Sequence, residues 1–321
     1  MEKQYHDNLI VSAAPHAVSS VDTTKVMGTV LIALIPALAV GVYQFGFKAL
    51  MQIVVCIIAS VVFEWAYNYF MKRPQTVKDL SAVLTGVLIA ANIPAGLPYW
   101  MSVIGCFVAI VIVKQLFGGI GQNLVNPAVT ARIVLFISFA TEMTTWPVAR
   151  GAANAADAVT GPTALGILSE GGGELPSNLD LFLGNCGGCI GEVSALALLI
   201  GGVFLIWRKI ITWHIPVCFL GTVFVLTLLI PGQDPIFHLC AGGLMLGAFF
   251  CATDYVTSPI MPKGKIIFGI GCGIITVLIR VYGSYPEGVS FAILLMNILT
   301  PHIDNLCESL AYKKKEKGGD K

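Results

Sequence analysis

The stretch Asp157-Ala158-Val159-Thr160-Gly161-Pro162-Thr163-Ala164-Leu165 places a carboxylate and two hydroxyls in a run of small residues. A glycine beside a proline makes a turn whose backbone can approach a bulky group, although a short Thr-Gly match alone is also an ordinary surface turn. Three further stretches combine glycine, proline and polar side chains inside apolar sequence. Gly118-Gly119-Ile120-Gly121-Gln122-Asn123-Leu124-Val125-Asn126-Pro127-Ala128 precedes Arg132 and offers backbone N–H groups and amides (Asn123, Asn126) to a phosphate, a flavin edge or a carboxylate. Gly187-Gly188-Cys189-Ile190-Gly191-Glu192 and Thr253-Asp254 with Thr257-Ser258-Pro259 are the other two. Together they suggest a buried site between helices, with Glu192 and Asp254 as its acidic members. Cys186 and Cys189 form a Cys-x-x-Cys, a spacing that serves redox chemistry, half a metal site, or simple packing at a helix start.

What must hold these residues in place is membrane-like. The chain has 321 residues, 56% hydrophobic and only 12% charged, with a mean hydropathy of +0.82. Soluble domains carry about a quarter charged residues, so this composition cannot clothe a globule in polar surface. The reading is an all-α integral membrane protein, a single polytopic domain over residues 1–321. A net charge of +1 without a basic stripe excludes nucleic acid as a partner. No cleaved signal is evident at the N-terminus, so the first helix directs insertion. Most of the nine cysteines lie in apolar runs and read as small packing residues.

About ten spans are expected, near 26–46, 49–70, 80–94, 100–116, 128–141, 190–207, 212–230, 236–252, 266–282 and 289–306, with Thr23 or Thr24 capping the first. Several fall short of a full crossing, which implies half-spans or broken helices, above all at 80–94 and 128–141. Lys72, Arg73 and Lys78, then Arg208 and Lys209, then Lys263 and Lys265, then Lys313 to Lys317 all follow even-numbered spans. The positive-inside rule puts both termini and the basic tail 307–321 in the cytoplasm, and the 142–180 loop with Thr163 outside. A weak inverted repeat relates 80–127 to 241–301, with Gly105-Cys106 and Lys114 matching Gly271-Cys272 and Arg280. Glu64, Lys114, Arg132, Glu192 and Asp254 are charges within apolar sequence, functional by default, although Lys114 and Arg280 could snorkel and Glu64 could be wet.

In order along the chain, Ser12-Ala13-Ala14-Pro15-His16, the Gly118-to-Ala128 break with Arg132, Asp157 to Leu165, Gly187 to Glu192, and Thr253-Asp254 with Ser258-Pro259 resemble one family. It comprises the D subunit of the Rnf electron-transport complex and the B subunit of the sodium-pumping NADH:quinone oxidoreductase, and the resemblance covers essentially the whole chain. It implies FMN joined through its phosphate to a threonine hydroxyl, the last residue of an Asp-x-x-Ser/Thr-Gly-Ala-Thr motif. Carried over, the acceptor is Thr163, with Asp157, Thr160 and Gly161 as recognition residues and a separate flavin transferase to install the group. Pro162 stands where the family has Ala, which leaves Thr160 as an alternative acceptor, and Cys189 stands where Ser is expected. A phosphodiester tethers the flavin without altering its ring, so contacts around the ring set its potential.

The resemblance further implies a second, non-covalent flavin (riboflavin or FMN) among the helices and a role in Na⁺ or H⁺ movement, with Glu192 and Asp254 as candidates to line that site or sense its charge; Asn123, Asn126 and Arg132 of the glycine-rich break remain cofactor-binding candidates on their own chemistry. It implies Rnf partner subunits (A, B, C, E and G) in a bacterial cytoplasmic (inner) membrane. No residue is expected to act as a catalytic acid, base or metal ligand, and no nucleotide or ferredoxin-cluster motif is present, so partners must supply both. The leading reading is a redox subunit carrying electrons between ferredoxin and NAD⁺ with ion export. The alternatives are a quinone-reducing relative, a urea-transporter-like solute channel whose inverted repeat needs no cofactor, and a structural anchor.

Overall fold

A computed structural model describes residues 22–147, 160–161, 163–170, 175–283 and 287–318. Asp22 has the extended backbone of an N-cap and accepts the Thr23 N–H at 2.7 Å, so helix α1 runs Thr23–Phe45. The cap is thus Asp22 and neither expected threonine. Gly46, at φ +70°, turns the chain directly into α2, Phe47–Phe70. Along α2, Leu50, Val54, Ile58, Val62, Trp65 and Tyr69 are exposed, while Gln52, Cys56, Ser60, Glu64 and Asn68 are buried. Both rows repeat every three or four residues, so one helix face is apolar and outward and the other polar and inward. That polarity suits lipid outside.

The chain continues through α3 (Ser81–Ala91) and α4 (Tyr99–Phe107), which runs on as a π-helical stretch, Val108–Gln115. Then come α5 (Pro127–Ser138) and α6 (Ala140–Met143). The stretch expected as a loop over 142–180 holds more structure than that. Strands β1 (Trp146–Pro147) and β2 (Thr160–Gly161) pair antiparallel, followed by α7 (Ala164–Glu170) and α8 (Asn178–Leu183). Helices α9 (Ala195–Trp207) and α10 (His214–Leu229) follow. The span expected at 236–252 is broken into α11 (Pro235–Cys240), α12 (Leu244–Leu246) and a π-helical Gly247–Cys251. Helices α13 (Pro262–Tyr282) and α14 (Val289–Gly318) close the described chain, and α14 carries helix into the expected basic tail.

Among the described residues, α1, α2, α13 and Val289–Ala311 of α14 are long and apolar enough to cross a membrane, and five shorter apolar helices lie beside them. This is a mostly helical membrane protein. The helix α1 runs along α9; α2 packs on α3, α4 and its π-helical extension; α10 packs on α11 and α13; α5 lies on that extension and α14 on α13. Close approach decides where the breaks sit. The Gly187-to-Glu192 segment crosses the end of α3, with Gly191 N–H donating to Ala91 O at 2.9 Å and Ile190 N–H to Ile93 O at 3.2 Å. A Cβ on Gly191 would lie 2.4 Å from that of Ala91, so only glycine fits the crossing. Helix α9 therefore starts five residues later than the expected span, at Ala195, behind the cap Ser194.

Candidate functional site

Helix α7 is short and needs an anchor. Ala164 and Leu165 supply it by packing against Leu181 of α8, Phe237 of α11 and Ala241 just beyond it. That fixes Thr163, buried at 8% exposure, whose Oγ1 accepts the Gly166 N–H at 3.1 Å. Beside it an enclosed space of about 10 Å³ is bounded by Gly187, Gly188, Glu192 and Gly242. That volume takes one water and no ring. Thr160 and Gly161 lie in β2 opposite Pro147 and Trp146. Asp157 and Pro162 lie outside the described residues.

Behind this space stands Arg132, on α5, at the centre of a buried polar cluster. It donates to Asn92 Oδ1 at 3.0 Å and to Cys189 Sγ at 3.6 Å, pairs with Glu287, and lies 3.7 Å from Glu192 Oε2. Glu192 Oε1 accepts the Cys189 N–H at 3.0 Å, which holds the glycine-rich segment in its turn. Cys189, Glu192 and Glu287 bring ligand atoms within 4.8 Å of one another, and Arg132 already supplies a cation among them. Gly243 makes room for the group, since a Cβ there would sit 2.8 Å from Glu192 Oε2 and 3.1 Å from Arg132 Nη1. Next to it Arg280 donates to His238 O at 2.6 Å and Ala241 O at 3.0 Å, satisfying carbonyls at the end of α11. Cys186 and Cys189 are both free thiols, and Cys186 Sγ donates to Val193 O at 3.6 Å.

The other break residues gather elsewhere. A cavity of about 270 Å³ is lined by Asn123, Asn126 and Asp254, by Ser81, Thr85 and Lys114, and by an apolar wall that includes Leu84, Leu88, Phe249 and Phe250. Asn126 caps α5 through Ala128 N–H (3.0 Å) and Val129 N–H (3.2 Å), with Pro127 at the first helical position, and donates to Cys251 O at 3.1 Å. Asp254 accepts from Thr257 Oγ1 at 3.1 Å. Asn123 Oδ1 is buried without a hydrogen-bond partner. On the same wall Lys114 Nζ donates to Glu64 Oε2 at 2.8 Å and Ser81 Oγ at 2.7 Å.

The expected site residues thus fall into two groups. Arg132 and Glu192 sit together near Thr163; Asn123, Asn126 and Asp254 sit together at the cavity. Lys114 and Arg280 do not snorkel: both are at most 7% exposed and bonded inward, and Glu64 is fully buried rather than wet. Asn92 and Glu287 join the site without any signal in the sequence. Glu287 stands between a proline and a glycine in the sequence and meets Arg132 across 155 positions, a pairing that no local spacing announces.

A family model described as the NQR2, RnfD, RnfE family matches residues 10–313. The chain is 51% identical over 308 residues to the D subunit of the Na⁺-translocating ferredoxin:NAD⁺ oxidoreductase complex of Acetobacterium woodii, covering 95% of each. It is 43% identical over 327 residues to the D subunit of the proton-translocating ferredoxin:NAD⁺ oxidoreductase complex of Clostridium ljungdahlii, covering 97% of this chain and 98% of that one. It is 42% identical over 335 residues to the D subunit of the ion-translocating oxidoreductase complex of Stutzerimonas stutzeri, covering 94% of each.

Proposed function

The chain belongs to the NQR2, RnfD, RnfE family, and from that premise we propose that it is the D subunit of an ion-translocating ferredoxin:NAD⁺ oxidoreductase. It carries electrons through an FMN esterified at Thr163 and a second flavin in the inner cavity, and works only with the other Rnf subunits. One observation carries this reading: near-full-length identity of 51% to the D subunit of such a complex. Relatives named for Na⁺ and for H⁺ are both close, so identity does not choose the ion.

When bound, flavin supplies electron transfer; what the chain supplies is placement. Thr163 offers its oxygen on an anchored helix, and Asp157, Thr160 and Gly161 form the rest of the motif that a flavin transferase reads. At the cavity, about 270 Å³ lies near the lower end of ligand pockets (~300 Å³), room for a ring system but not for a dinucleotide. The apolar wall suits the ring faces, and Asn123, Asn126 and Asp254 border the polar edge. Arg132 and Glu192 form the charged floor beneath Thr163.

The membrane arrangement follows the same line. The chain crosses about ten times as one polytopic domain of a bacterial cytoplasmic membrane, with the 142–180 segment outside and the tail inside. Its support is convergence: Arg73 reaches Gln115 O at 3.4 Å, Lys265 reaches Thr212 Oγ1 at 3.4 Å, and Tyr255 donates to Ile210 O, all at the cavity end. These contacts support basic loops gathered at one end, which the positive-inside rule makes cytoplasmic, and on this reading Thr163 lies on the other side. An inverted repeat fits too. Gly105-Cys106 and Gly271-Cys272 lie on α4 and α13, which pack alike on α2 and α10. Each run ends in a buried cation, Lys114 at the cavity and Arg280 near Gly242.

The test is in-gel fluorescence of the denatured polypeptide from the native host, with peptide mass spectrometry. Wild type should show a flavin band with FMN mass on Thr163, Thr163→Ala should lose it, and Thr160→Ala should retain it in part. A bare peptide at both threonines in wild type ends the redox reading and leaves the solute channel.

A further inference from the structure

Lys114 is the one cation among the described residues lining the inner cavity, and Asp254 is the one anion. The lysine is 3% exposed, and its ammonium spends two of three N–H donors on Glu64 and Ser81. Glu64 itself stands behind the wall, fully buried, accepting Thr76 Oγ1 at 2.5 Å. Replacing such a pair by apolar residues commonly costs nothing, so packing alone does not explain a charge pair at this wall. Glu64 is not among the residues lining the cavity, whereas Lys114 and its hydrogen-bond partner Ser81 are, so a ligand there lies on the lysine side of the pair.

We propose that Lys114 is the positioning residue that sets the charge the cavity ligand can hold, with Glu64 as the counter-charge that attenuates it. This rests on the cavity holding a flavin ring. A ring held there would take up one electron from its redox partner in the complex, and the cavity would then gain one negative charge with no bond made or broken. The third Lys114 N–H and its charge favour that reduced ring, in competition with Glu64. Low effective dielectric between buried groups makes such an interaction far larger than in water.

The experiment is a redox titration of the non-covalent flavin in the purified complex, beside its release on denaturation. Glu64→Gln leaves the lysine uncompensated and should ease ring reduction at least tenfold, ~59 mV upward for a one-electron couple. Lys114→Gln should shift it by a similar factor downward, and the double variant, which leaves no unpaired charge, should fall between them. A merely structural pair would move both single variants the same way or not at all, and that result overturns the inference while leaving the cavity reading intact. Should the wild-type complex release no flavin, the cavity reading falls and this inference with it. If Lys114→Gln fails to assemble, an unshifted Glu64→Gln against the double variant still overturns it.

Discussion

Around Arg132 two carboxylates face one guanidinium and the enclosed space beside it is about 10 Å³; six residues back along α5, at Asn126, about 270 Å³ is open. Six residues of helix are about 9 Å, so the two regions are near neighbours built in opposite ways. The outer one is closed by charge and glycine contacts, and serves to hold a backbone crossing and α7 in place. The inner one is closed by apolar side chains around a void, and serves to receive something. Asn92 ties them: its Oδ1 accepts from Arg132, and its amide donates to Leu88 O at 2.8 Å on the cavity wall. A polar cluster with no room is a scaffold, and a polar rim with room is a binding site.

The largest expected effect breaks the outer region. Arg132→Ala leaves Glu192 and Glu287 buried without a cation, and removing one member of a buried pair costs about 3–5 kcal/mol. Thermal unfolding of the purified complex should show subunit loss well below the wild-type midpoint. A wild-type melting curve would mean that the cluster is not structural. Gly191→Val comes next. Its Cβ meets Ala91 at 2.4 Å, a backbone-to-backbone crossing that cannot give, and overpacking of this kind costs about 1–3 kcal/mol. Reduced yield of assembled complex with normal synthesis is the readout.

Much of this arrangement is legible in the chain, for identifiable reasons. The four long spans are visible because their outward faces are apolar at helical spacing, as in α2. The breaks are visible because glycine and proline interrupt those runs, and Asn126-Pro127 signals a helix start outright. Partnership is not legible. Glu64 with Lys114 spans 50 positions and Arg132 with Glu287 spans 155, so from spacing alone each charge reads as wet or snorkelling. The break residues share a composition, which suggests one site. They separate into two because Arg132 sits a turn and a half deeper on α5 than Asn126.

The inner region should respond in ligand rather than in stability. Asn123→Leu removes the unpaired oxygen, a group whose burial without a partner costs about 1–3 kcal/mol. The variant complex should melt at or slightly above the wild-type temperature yet lose the flavin proposed for the cavity about tenfold more readily on dilution. Loss of thermal stability with unchanged flavin would reverse the contrast drawn between the two regions.

The smallest effect concerns pH at the exposed N-terminal caps of α8 and α11. Asp234 caps α11 through Ile236 N–H (2.9 Å), and Asn178 of α8 donates to it at 2.8 Å. The Asn178 bond, ahead of the backbone bonds, holds the Asp234 carboxyl below its ordinary value. Asp180 is lowered likewise, first by Ser177 and then by Asn185. A depressed folded-state pKa means that the unfolded chain binds the proton more readily. The stabilisation is therefore present above about pH 3.9, the unfolded aspartate value, and lost as pH falls through the lower folded value. Both groups are solvent-exposed, so screening keeps the effect of Asp234 to a few tenths of a kcal/mol. Amide hydrogen exchange in α11 should be flat from pH 8 to 5 after correction for intrinsic rates, rise only below about 4, and rise at every pH in Asn178→Ala. Because α11 carries Phe237 and leads into Ala241, the surface that anchors Thr163, loosening it should raise the mobility of the outer site while leaving the inner cavity untouched.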